Sequence, residues 1–402
     1  MNEKKVPGIR FKGFEDDWEQ RKLSDVVGTT YGGGTPATYN DAFWNGDIPW
    51  IQTSNTVEDQ LFDIEVNKCI SNDGLNHSAA QMIPGNSVAV VTHVGVGKLV
   101  FMPYSYTTSQ DFISLSNLKC NPKFLCYALY RKLREDLHIV QGSAIKGITK
   151  EDLMTKQFAM PEIEEQGQIA STLELLDDLI TLHQRKLEKL KIVKKSMLEN
   201  CFPKNGEKVP KFRFAGFTDD WEQRKVGELT TELTEYATMN SKLPLFTSSR
   251  NGLMYQSECR GSLTTNSKKT MFSVVPLGAC TYRHMSDDDI FHLNINTLEK
   301  GIVSREYPVF VATDKNDIRF IVQFINSSPT FLSFCTQQKK GGTRTRLYYK
   351  TLCDFKMMVP ETTEQKKIAN FFQGVDQVIT LHQRKLKYMD QHRNWGDLYG
   401  SL

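Results

Sequence analysis

The sequence predicts an α+β protein in which two globular mixed α/β domains are separated by two long antiparallel coiled-coil helices, related by a pseudo-twofold internal repeat. Three observations support this fold class. The chain has 402 residues, enough for roughly two to three domains. A block near the N-terminus recurs at about half the chain length. A heptad stripe, typical of coiled-coil helices, follows each copy of that block.

The repeat consists of two blocks that each occur twice. Residues 6–23 and 209–226 are identical at 13 of 18 positions, and residues 179–187 and 378–386 are identical at 8 of 9. The segments between the blocks are almost unrelated to each other. Near-identical frames around dissimilar inserts indicate one scaffold that carries two different specificities. Simple duplication with neutral drift in the inserts is the alternative, although drift should have blurred the blocks as well.

This repeat divides the chain into four predicted parts. The two dissimilar inserts, roughly residues 28–160 and 231–359, belong to the two globular domains, and each domain begins with one copy of the first block. The predicted parts are a first globular domain at 1–160, a central helix at 161–202, a second globular domain at 203–359 and a C-terminal helix at 360–402.

The two predicted helices each carry a stripe whose steps alternate between four and three residues, the a/d pattern of a coiled coil. Pro161 and Pro360 precede the helices, and glutamates occupy their first turns. Because one chain holds two matching stripes, effective concentration favours their antiparallel pairing within the chain. The stripes are Ile169, Leu173, Leu176, Ile180, His183, Leu187, Leu190, Lys194 and Met197, and Ile368, Phe372, Val375, Ile379, His382, Leu386, Met389 and Arg393.

One histidine occupies the same stripe position in each copy, His183 in the first and His382 in the second. We interpret both as polar seam residues that set the register of the helix pair. A metal-binding or catalytic role is the alternative interpretation.

Both inserts have the patterns of mixed α/β domains. A Pro-Gly turn followed by β-branched residues predicts a strand within residues 82–91, and apolar spacing predicts a helix at 122–137. In the second insert, residues 243–250 begin as a strand and residues 318–335 have a helical pattern. The inserts therefore resemble each other in composition of elements, although their sequences differ.

The most basic and glycine-rich stretch of the chain is Lys339–Arg346, which aligns with Gln141–Gly147 in the first half. Glycines allow backbone amides to approach phosphates, and arginine pairs bidentately with guanine or phosphate. We therefore predict DNA contacts in these loops, with a solvated charged loop as the alternative. The candidate contact residues are Thr92, His93, Lys98, Ser109, Gln110 and Lys146, and Ser249, Arg250, Arg283, His284, Lys339, Lys340, Arg344 and Arg346.

Other features argue against several classes of protein. Eight cysteines without Cys-x-x-Cys spacing disfavour a zinc or redox site. The stretch Gly95-Val96-Gly97-Lys98 comes closest to a nucleotide-binding loop, but residues 92 and 99 do not fit that motif. No apolar stretch predicts a signal peptide or membrane span, so we expect a cytoplasmic protein. We predict no catalytic, cofactor-binding or metal-binding residue in this chain.

At these blocks the chain resembles the specificity subunits of type I restriction–modification enzymes, over essentially its whole length. The resemblance is carried by Arg10–Lys22 and Arg213–Lys225, which share Arg-Phe-x-Gly-Phe-x-Asp-Asp-Trp-Glu-Gln-Arg-Lys. It is also carried by Pro-x-x-x-Glu-Gln-x-x-Ile-Ala at residues 161–170 and 360–369. The first helix departs from the commoner form at Gly167, which should slightly loosen its start.

The resemblance implies that each globular domain is a target recognition domain reading one half of a bipartite, asymmetric site in double-stranded DNA. The helices would fix the unread spacer and dock two modification methyltransferase subunits, which bind S-adenosylmethionine. Two restriction subunits, which use ATP and Mg, would complete a nuclease. Neither cofactor would bind this chain, and the family does not assign individual base-reading residues because the inserts are its variable part.

Two other classes of function remain open at the level of sequence. One is a fused restriction–modification enzyme with its own catalytic centre, which the missing methyltransferase and nuclease motifs disfavour. The other is a coiled-coil adaptor that binds only proteins. Salt-dependent DNA binding separates the adaptor from a DNA-recognition subunit.

Overall fold

The computed structural model describes residues 10–139, 147–204, 206–259, 270–339 and 343–393. The chain forms two compact units: Met1–His183 with Lys385–Leu402, and Gln184–Arg384. Both units mix helices and strands, as the sequence predicts.

The first unit contains short strands around one long amphipathic helix. Its helices are α1 (Leu23–Val26), α2 (Asn72–Asn76), α3 (Pro122–Ile139) and α4 (Lys150–Met154), and it also holds the first half of α5 (Ile163–Asn200). Its strands are β1 (Glu19–Lys22), β2 (Val27–Gly32), β3 (Ile48–Ile51), β4 (Cys69–Ile70), β5 (Ser87–Val91), β6 (Leu99–Met102), β7 (Thr107–Thr108), β8 (Phe112–Leu118) and β9 (Gln157–Met160).

An antiparallel sheet of order β2-β8-β5-β6 forms the centre of the first unit. Val88 and Val90 of β5 are fully buried, and they belong to the same core cluster as Leu125 and Leu129 of α3. The apolar spacing that predicts a helix at 122–137 therefore marks the face of α3 that packs on this sheet. A smaller sheet of order β4-β3-β7 lies beside it, and β3 and β7 in that sheet are parallel.

The second unit has the same kinds of element. Its helices are α6 (Val226–Leu229), α7 (Ile318–Ser327), α8 (Pro329–Gln337), α9 (Tyr349–Leu352) and most of α10 (Thr362–Arg393). Its strands are β10 (Glu222–Lys225), β11 (Thr230–Glu232), β12 (Tyr236–Thr238), β13 (Phe246–Ser249), β14 (Gly252–Tyr255), β15 (Met271–Val275), β16 (Cys280–Thr281), β17 (Met285–Ser286), β18 (Asn294–Ile295), β19 (Gly301–Ser304), β20 (Val309–Ala312), β21 (Thr345–Arg346) and β22 (Lys356–Val359).

The central sheet of the second unit repeats the strand order of the first. Its order is β11-β20-β16-β18. In both units the first strand of the insert pairs antiparallel with the strand that precedes the principal helix of the insert, α3 in the first unit and α7 in the second. The smaller sheets differ, with β12-β15-β19 and the hairpin β13-β14 here. Two unrelated insert sequences thus build a similar central sheet.

The helical pattern at residues 318–335 corresponds to two helices in the structure, α7 and α8. The break falls at Ser328, whose hydroxyl accepts a hydrogen bond from the Phe331 amide and caps α8. Pro329 occupies the first turn of α8, where its missing N–H is tolerated. An apolar pattern continues across the break because both helices bury one face in the same core.

The repeated block forms the same structure in both copies. Strand β1 pairs antiparallel with β9 in the register Glu19↔Met160, and β10 pairs with β22 in the register Glu222↔Val359. The two ends of each insert therefore lie next to each other, on paired strands.

A buried ion pair joins each repeated block to the first turn of a long helix. The Arg10 guanidinium donates two hydrogen bonds of 2.8 Å to the Glu165 carboxylate, and Arg213 donates two of 2.8 Å to Glu364. Both carboxylates are fully buried. The hydrogen bond to Glu165 raises the pKa of Arg10 above its ordinary value. Bidentate geometry compensates for the desolvation of the two charges.

The glutamine beside each buried glutamate accepts a hydrogen bond from the residue that caps the principal helix of its insert. Gln166 accepts a 2.8 Å hydrogen bond from the backbone amide of Asn121, and the Asn121 side chain in turn caps α3. Gln365 accepts a 3.0 Å bond from the amide of Asp317, which caps α7. The Glu-Gln pair thus connects block, insert and long helix in both units.

Burial along the long helices follows the predicted stripe. In α5, Ile169, Leu173, Ile180 and Leu187 are buried, and the remaining stripe positions are half-buried. Most positions between them are exposed, as a two-helix seam requires.

Within the second unit, the end of α5 packs against the start of α10 in the antiparallel direction. Lys194 forms a 2.5 Å ion pair with Asp376, whereas Phe202, further along the chain, stacks on Phe372, which lies earlier in α10. Phe202 also contacts Phe320 and Phe324 of α7. The start of α10 is therefore held by both the preceding helix and the insert.

We expect Glu165→Ala to lower the free energy of unfolding by about 3–5 kcal/mol, because the substitution leaves the buried Arg10 charge without a partner. Glu164→Ala, in the same helical turn but exposed, is the matched control and should change little. Urea and thermal unfolding followed by circular dichroism measure both variants. Equal stabilities would show that the buried ion pair does not hold the first unit together.

Candidate nucleic-acid interface

In the second unit, exposed arginines lie in and directly before a short strand, β21. β17 and β21 are antiparallel, in the register Met285↔Arg346 and Ser286↔Thr345. Thr345 is buried, whereas Arg344 and Arg346 on either side of it are exposed. Arg346 belongs to β21, and Arg344 lies in the bend directly before that strand.

Three consecutive aspartates after β17 contact the predicted basic residues. The Arg344 Nε donates a 2.7 Å hydrogen bond to Asp287, and Arg250 donates to Asp288. Asp289 accepts a hydrogen bond from the Thr345 hydroxyl and lies 3.9 Å from the Lys339 amine. The tips of these basic side chains are therefore gathered around one loop.

Two arginines of this region carry no such partner. Arg283 and Arg346 are exposed and form no ion pair with any residue that the structure describes. Both lie close enough to His284 for their charges to lower its pKa. We call the exposed basic surface the basic face; its members are Arg250, Arg283, Lys339, Arg344 and Arg346.

Two other predicted contact residues of this unit have supporting contacts. His284 is buried and stacks on Tyr348 with ring centroids 5.7 Å apart. The Ser249 hydroxyl donates a 3.0 Å hydrogen bond to the Gly252 carbonyl within the turn between β13 and β14. These contacts shape the turn and the strand beneath the basic face.

In the first unit, Thr92 and Ser109 are buried rather than exposed. The Thr92 hydroxyl donates to the Asp111 carbonyl at 3.1 Å, and the Ser109 hydroxyl donates to the Asp111 carboxylate at 3.2 Å. Both hydroxyls are therefore used to fix the loop around Asp111. A base contact through either would require that loop to open.

The remaining candidates of the first unit are partly or fully exposed. His93 and Lys98 line a cavity of about 350 Å³ together with Tyr130 and Arg134. The Lys98 amine donates to the Thr56 carbonyl at 3.1 Å. Gln110 is exposed and accepts a 2.6 Å hydrogen bond from the Thr35 hydroxyl.

Two predicted contact residues, Lys146 and Lys340, lie outside the described residues. Ile148, two residues after Lys146, lies beside the candidate Thr92, because its amide donates a 2.7 Å hydrogen bond to the Thr92 carbonyl.

Comparison with known proteins identifies the family. A family model described as the type I restriction modification DNA specificity domain matches residues 15–192 and 292–389, more than half of the chain. The chain belongs to this family. The matched regions of this specificity-domain protein include most of both long helices and residues 15–23 of the first repeated block.

Two curated relatives are themselves specificity subunits. The type I restriction enzyme MjaIX specificity subunit of Methanocaldococcus jannaschii is 24% identical over 193 residues, which cover 46% of this chain and 44% of that protein. The EcoR124I/EcoR124II specificity subunit of Escherichia coli is 27% identical over 184 residues, which cover 42% and 43%. The match thus spans less than half the length of each relative.

One solved structure has a similar fold over its whole length. The S subunit of a type I restriction–modification system from M. genitalium matches with a TM-score of 0.61 at 11% sequence identity. The match covers 99% of this chain and 100% of that one. At this identity the likeness concerns the fold alone.

Sequence reasoning missed several residues of this specificity-domain protein. The run Asp287-Asp288-Asp289, which begins three residues after His284, is a visible signal that acidic partners accompany the basic residues. Val94 and Tyr348 are exposed apolar side chains beside predicted contact residues, and nothing in their spacing distinguishes them from core positions.

Three further features concern the described parts of the chain. No group of three or more His, Cys, Asp or Glu residues there is placed to hold a metal ion. No described helix is long and apolar enough to cross a membrane. All eight cysteines are free thiols, and burial raises the pKa of Cys126 and Cys280 well above the ordinary value.

The stability of the second unit should fall at mildly acidic pH because of His284. Burial lowers the pKa of His284, against an opposing effect of Glu306, and nearby Arg346 and Arg283 lower it further. As the pH falls below about 6.5, the unfolded chain takes up a proton that the folded chain does not, so stability decreases. Above that pH both states are neutral at this residue and the effect is absent.

The variant His284→Phe tests this expectation, because it removes the titrating ring and keeps an aromatic side chain against Tyr348. The loss of Tm between about pH 7.5 and about pH 5.5 should be smaller in the variant than in the parent protein. His292, whose pKa is also lowered by burial, is present in both proteins and cancels in the comparison. The same pH dependence in both proteins would contradict the assignment.

Proposed function

We propose that this chain is the DNA-recognition subunit of a type I restriction–modification complex and has no catalytic centre of its own. Two target recognition domains, at residues 1–160 and 203–359, each read one half of a bipartite, asymmetric target in double-stranded DNA. The observation that carries the proposal is the near-identical frame around two dissimilar inserts, in a chain of the specificity-domain family. Different inserts on one frame are what two different half-sites require.

In the second domain, we assign DNA contact to the basic face. Arg283 and Arg346 are exposed and free of described ion pairs, so their donors are available to phosphates or base edges. Arg250, Lys339 and Arg344 contribute positive charge beside them.

In the first domain, the contact surface consists of His93, Lys98 and Gln110. His93 and Lys98 lie on the loop between β5 and β6, and the exposed Val94 on the same loop offers an apolar contact to a thymine methyl group. Thr92 and Ser109 hold that surface through Asp111.

The two long helices set the distance between the half-sites. We infer that α5 and α10 pair antiparallel along the whole seam, from Ile169 to Met197 in α5, which spans about 42 Å at about 1.5 Å per residue. One turn of B-DNA is about 34 Å. Burial along the stripe and the antiparallel contacts of Lys194 and Phe202 support this pairing.

The same helices dock two modification methyltransferase subunits. Leu175, Leu179 and Leu182 of α5 are exposed at helical spacing, as are Val378 and Leu381 of α10. These residues lie off the buried stripe, and an exposed apolar row on a helix is typical of a protein interface. Because the row occurs in both copies, it supports two identical partners.

The cofactors of the complex belong to those partners. The methyltransferase subunits bind S-adenosylmethionine and act on the target, and two restriction subunits that use ATP and Mg join them where cleavage occurs. This chain supplies the sequence preference alone.

Replacing Arg346 with alanine should weaken binding of the assembled complex to its target by about 1–3 kcal/mol, because a base or phosphate contact is lost. Lys315→Ala, which removes an exposed charge from a loop outside the basic face, is the control. Fluorescence anisotropy at several salt concentrations gives the affinity and its salt slope. Unchanged affinity and unchanged preference would remove Arg346 from the interface.

The same measurements separate the alternative functions. A protein-only adaptor would show no salt-dependent DNA binding even within the complex. A fused enzyme would methylate or cleave DNA without any partner subunit. Either outcome would overturn the proposal.

Inserting seven residues after Lys186 and seven after Lys385 should lengthen the preferred spacer by about three base pairs. A heptad adds about 10 Å to each helix and preserves the seam, and each base pair adds about 3.4 Å. Methylome sequencing of cells that carry the variant reads the spacer directly. Four-residue insertions at the same places break the stripe and should abolish target methylation, whereas an unchanged spacer in the heptad variant would show that helix length does not set it.

A further inference from the structure

The aspartates beside the basic face form three separate contacts with it. Asp287, Asp288 and Asp289, which we call the aspartate clamp, contact Arg344, Arg250 and Lys339 respectively. The three basic residues come from two stretches of the insert, one at position 250 and one at 339–344. One loop therefore contacts side chains from two distant stretches of the sequence.

The clamp is itself held in place by local hydrogen bonds. Asp288 accepts a 2.7 Å bond from the Ser286 hydroxyl, and its own amide donates back to that oxygen at 3.3 Å. Asp289 accepts a hydrogen bond from the buried Thr345 of the neighbouring strand. The Ser286 bond lowers the pKa of Asp288, so this carboxylate is charged at neutral pH.

The contact to Arg344 leaves the outer edge of its guanidinium unused. Asp287 accepts from Nε, and neither terminal amino group of Arg344 is bonded to a described residue. A carboxylate on one edge of the planar fork fixes its orientation and leaves donors for a second acceptor. Guanine O6 and N7 are the acceptors that a fixed arginine fork reads in the major groove.

The clamp also opposes attraction to phosphates. Each carboxylate cancels the charge of a basic residue that would otherwise contact the DNA backbone without regard to sequence. Phosphate contacts supply essentially all of non-specific binding. A face with two free arginines and three compensated cations thus has less sequence-independent affinity than five free cations.

We propose that Asp287 and Asp288 are positioning residues for DNA specificity: they hold Arg344 and Arg250 toward base edges and keep them from binding phosphates indiscriminately. The proposal rests on the proposed function and adds the physical basis of discrimination at the half-site read by the second domain. Removing the carboxylates should therefore raise affinity for non-target DNA and lower preference for the target.

The test measures DNA binding by the complex that the full chain forms with its modification subunits. It compares the parent complex with the double variant Asp287→Asn/Asp288→Asn. The probes are three duplexes of equal length: the target found by methylome sequencing, and two with one or the other half-site scrambled. Asp314→Asn, an exposed aspartate of the same unit without a described ion pair, is the control for a charge change alone.

In the double variant, affinity for the duplex lacking the second domain's half-site should rise about tenfold, and the salt slope should steepen by up to about two. Discrimination at that half-site should fall about tenfold, whereas discrimination at the other half-site should not change. Asp287→Glu/Asp288→Glu, which keeps both charges, should restore the low non-target affinity. A merely structural role would not move the salt slope.

Three outcomes would overturn the inference. The first is unchanged discrimination and salt slope in a double variant whose Tm matches the parent. The second is an equal loss of discrimination at both half-sites, and the third is the same shift per charge in Asp314→Asn. If the parent complex itself shows no target preference, the proposed function fails before the variants are compared, so the two failures are distinguishable.

Discussion

A buried ion pair between arginine and glutamate closes each half of this chain. Arg10 and Glu165 are 155 residues apart, and Arg213 and Glu364 are 151 residues apart, so each pair joins the two ends of an insert. A carboxylate with no exposure is tolerated only because the guanidinium offers two donors in matching geometry. The insert, its central sheet and the start of the long helix all depend on that closure.

The hydrogen bonds around the ion pair differ between the two copies. Trp18 donates a 3.2 Å hydrogen bond to Glu165, whereas the indole N–H of Trp221 is buried without a hydrogen-bond partner among the described residues. Arg213 uses a terminal amino group to bond the Asp219 carbonyl as well, whereas one terminal amino group of Arg10 is buried without a described partner. Both copies have the bidentate arginine–glutamate pair and the adjacent glutamine that binds the helix-capping residue.

The sequence predicted the frame well because frame residues repeat and are periodic. A stripe of steps four and three predicts a helix, and both stripes lie on helices, α5 and α10, whose burial follows the stripe. The inserts were harder to predict because polarity does not reveal whether a hydroxyl faces solvent. Thr92 and Ser109 look like contact residues in sequence, yet their acceptors are the backbone and carboxylate of Asp111. Similarly, the sequence predicted Arg250 and Arg344 as contact residues. It did not show that both contact the same aspartate loop, because that depends on how β17 and β21 pair.

Adjacent entry and exit strands give each insert an unusual freedom. Since β1 and β9 lie side by side, a longer or shorter insert changes its own surface and leaves its attachment points where they were. The entropy of closing such a loop grows only slowly with length. On the proposed function, base preference and spacer length belong to separate parts of the chain and can evolve independently. A foreign insert then needs to reproduce only the paired strand, the capped helix and their two polar anchors.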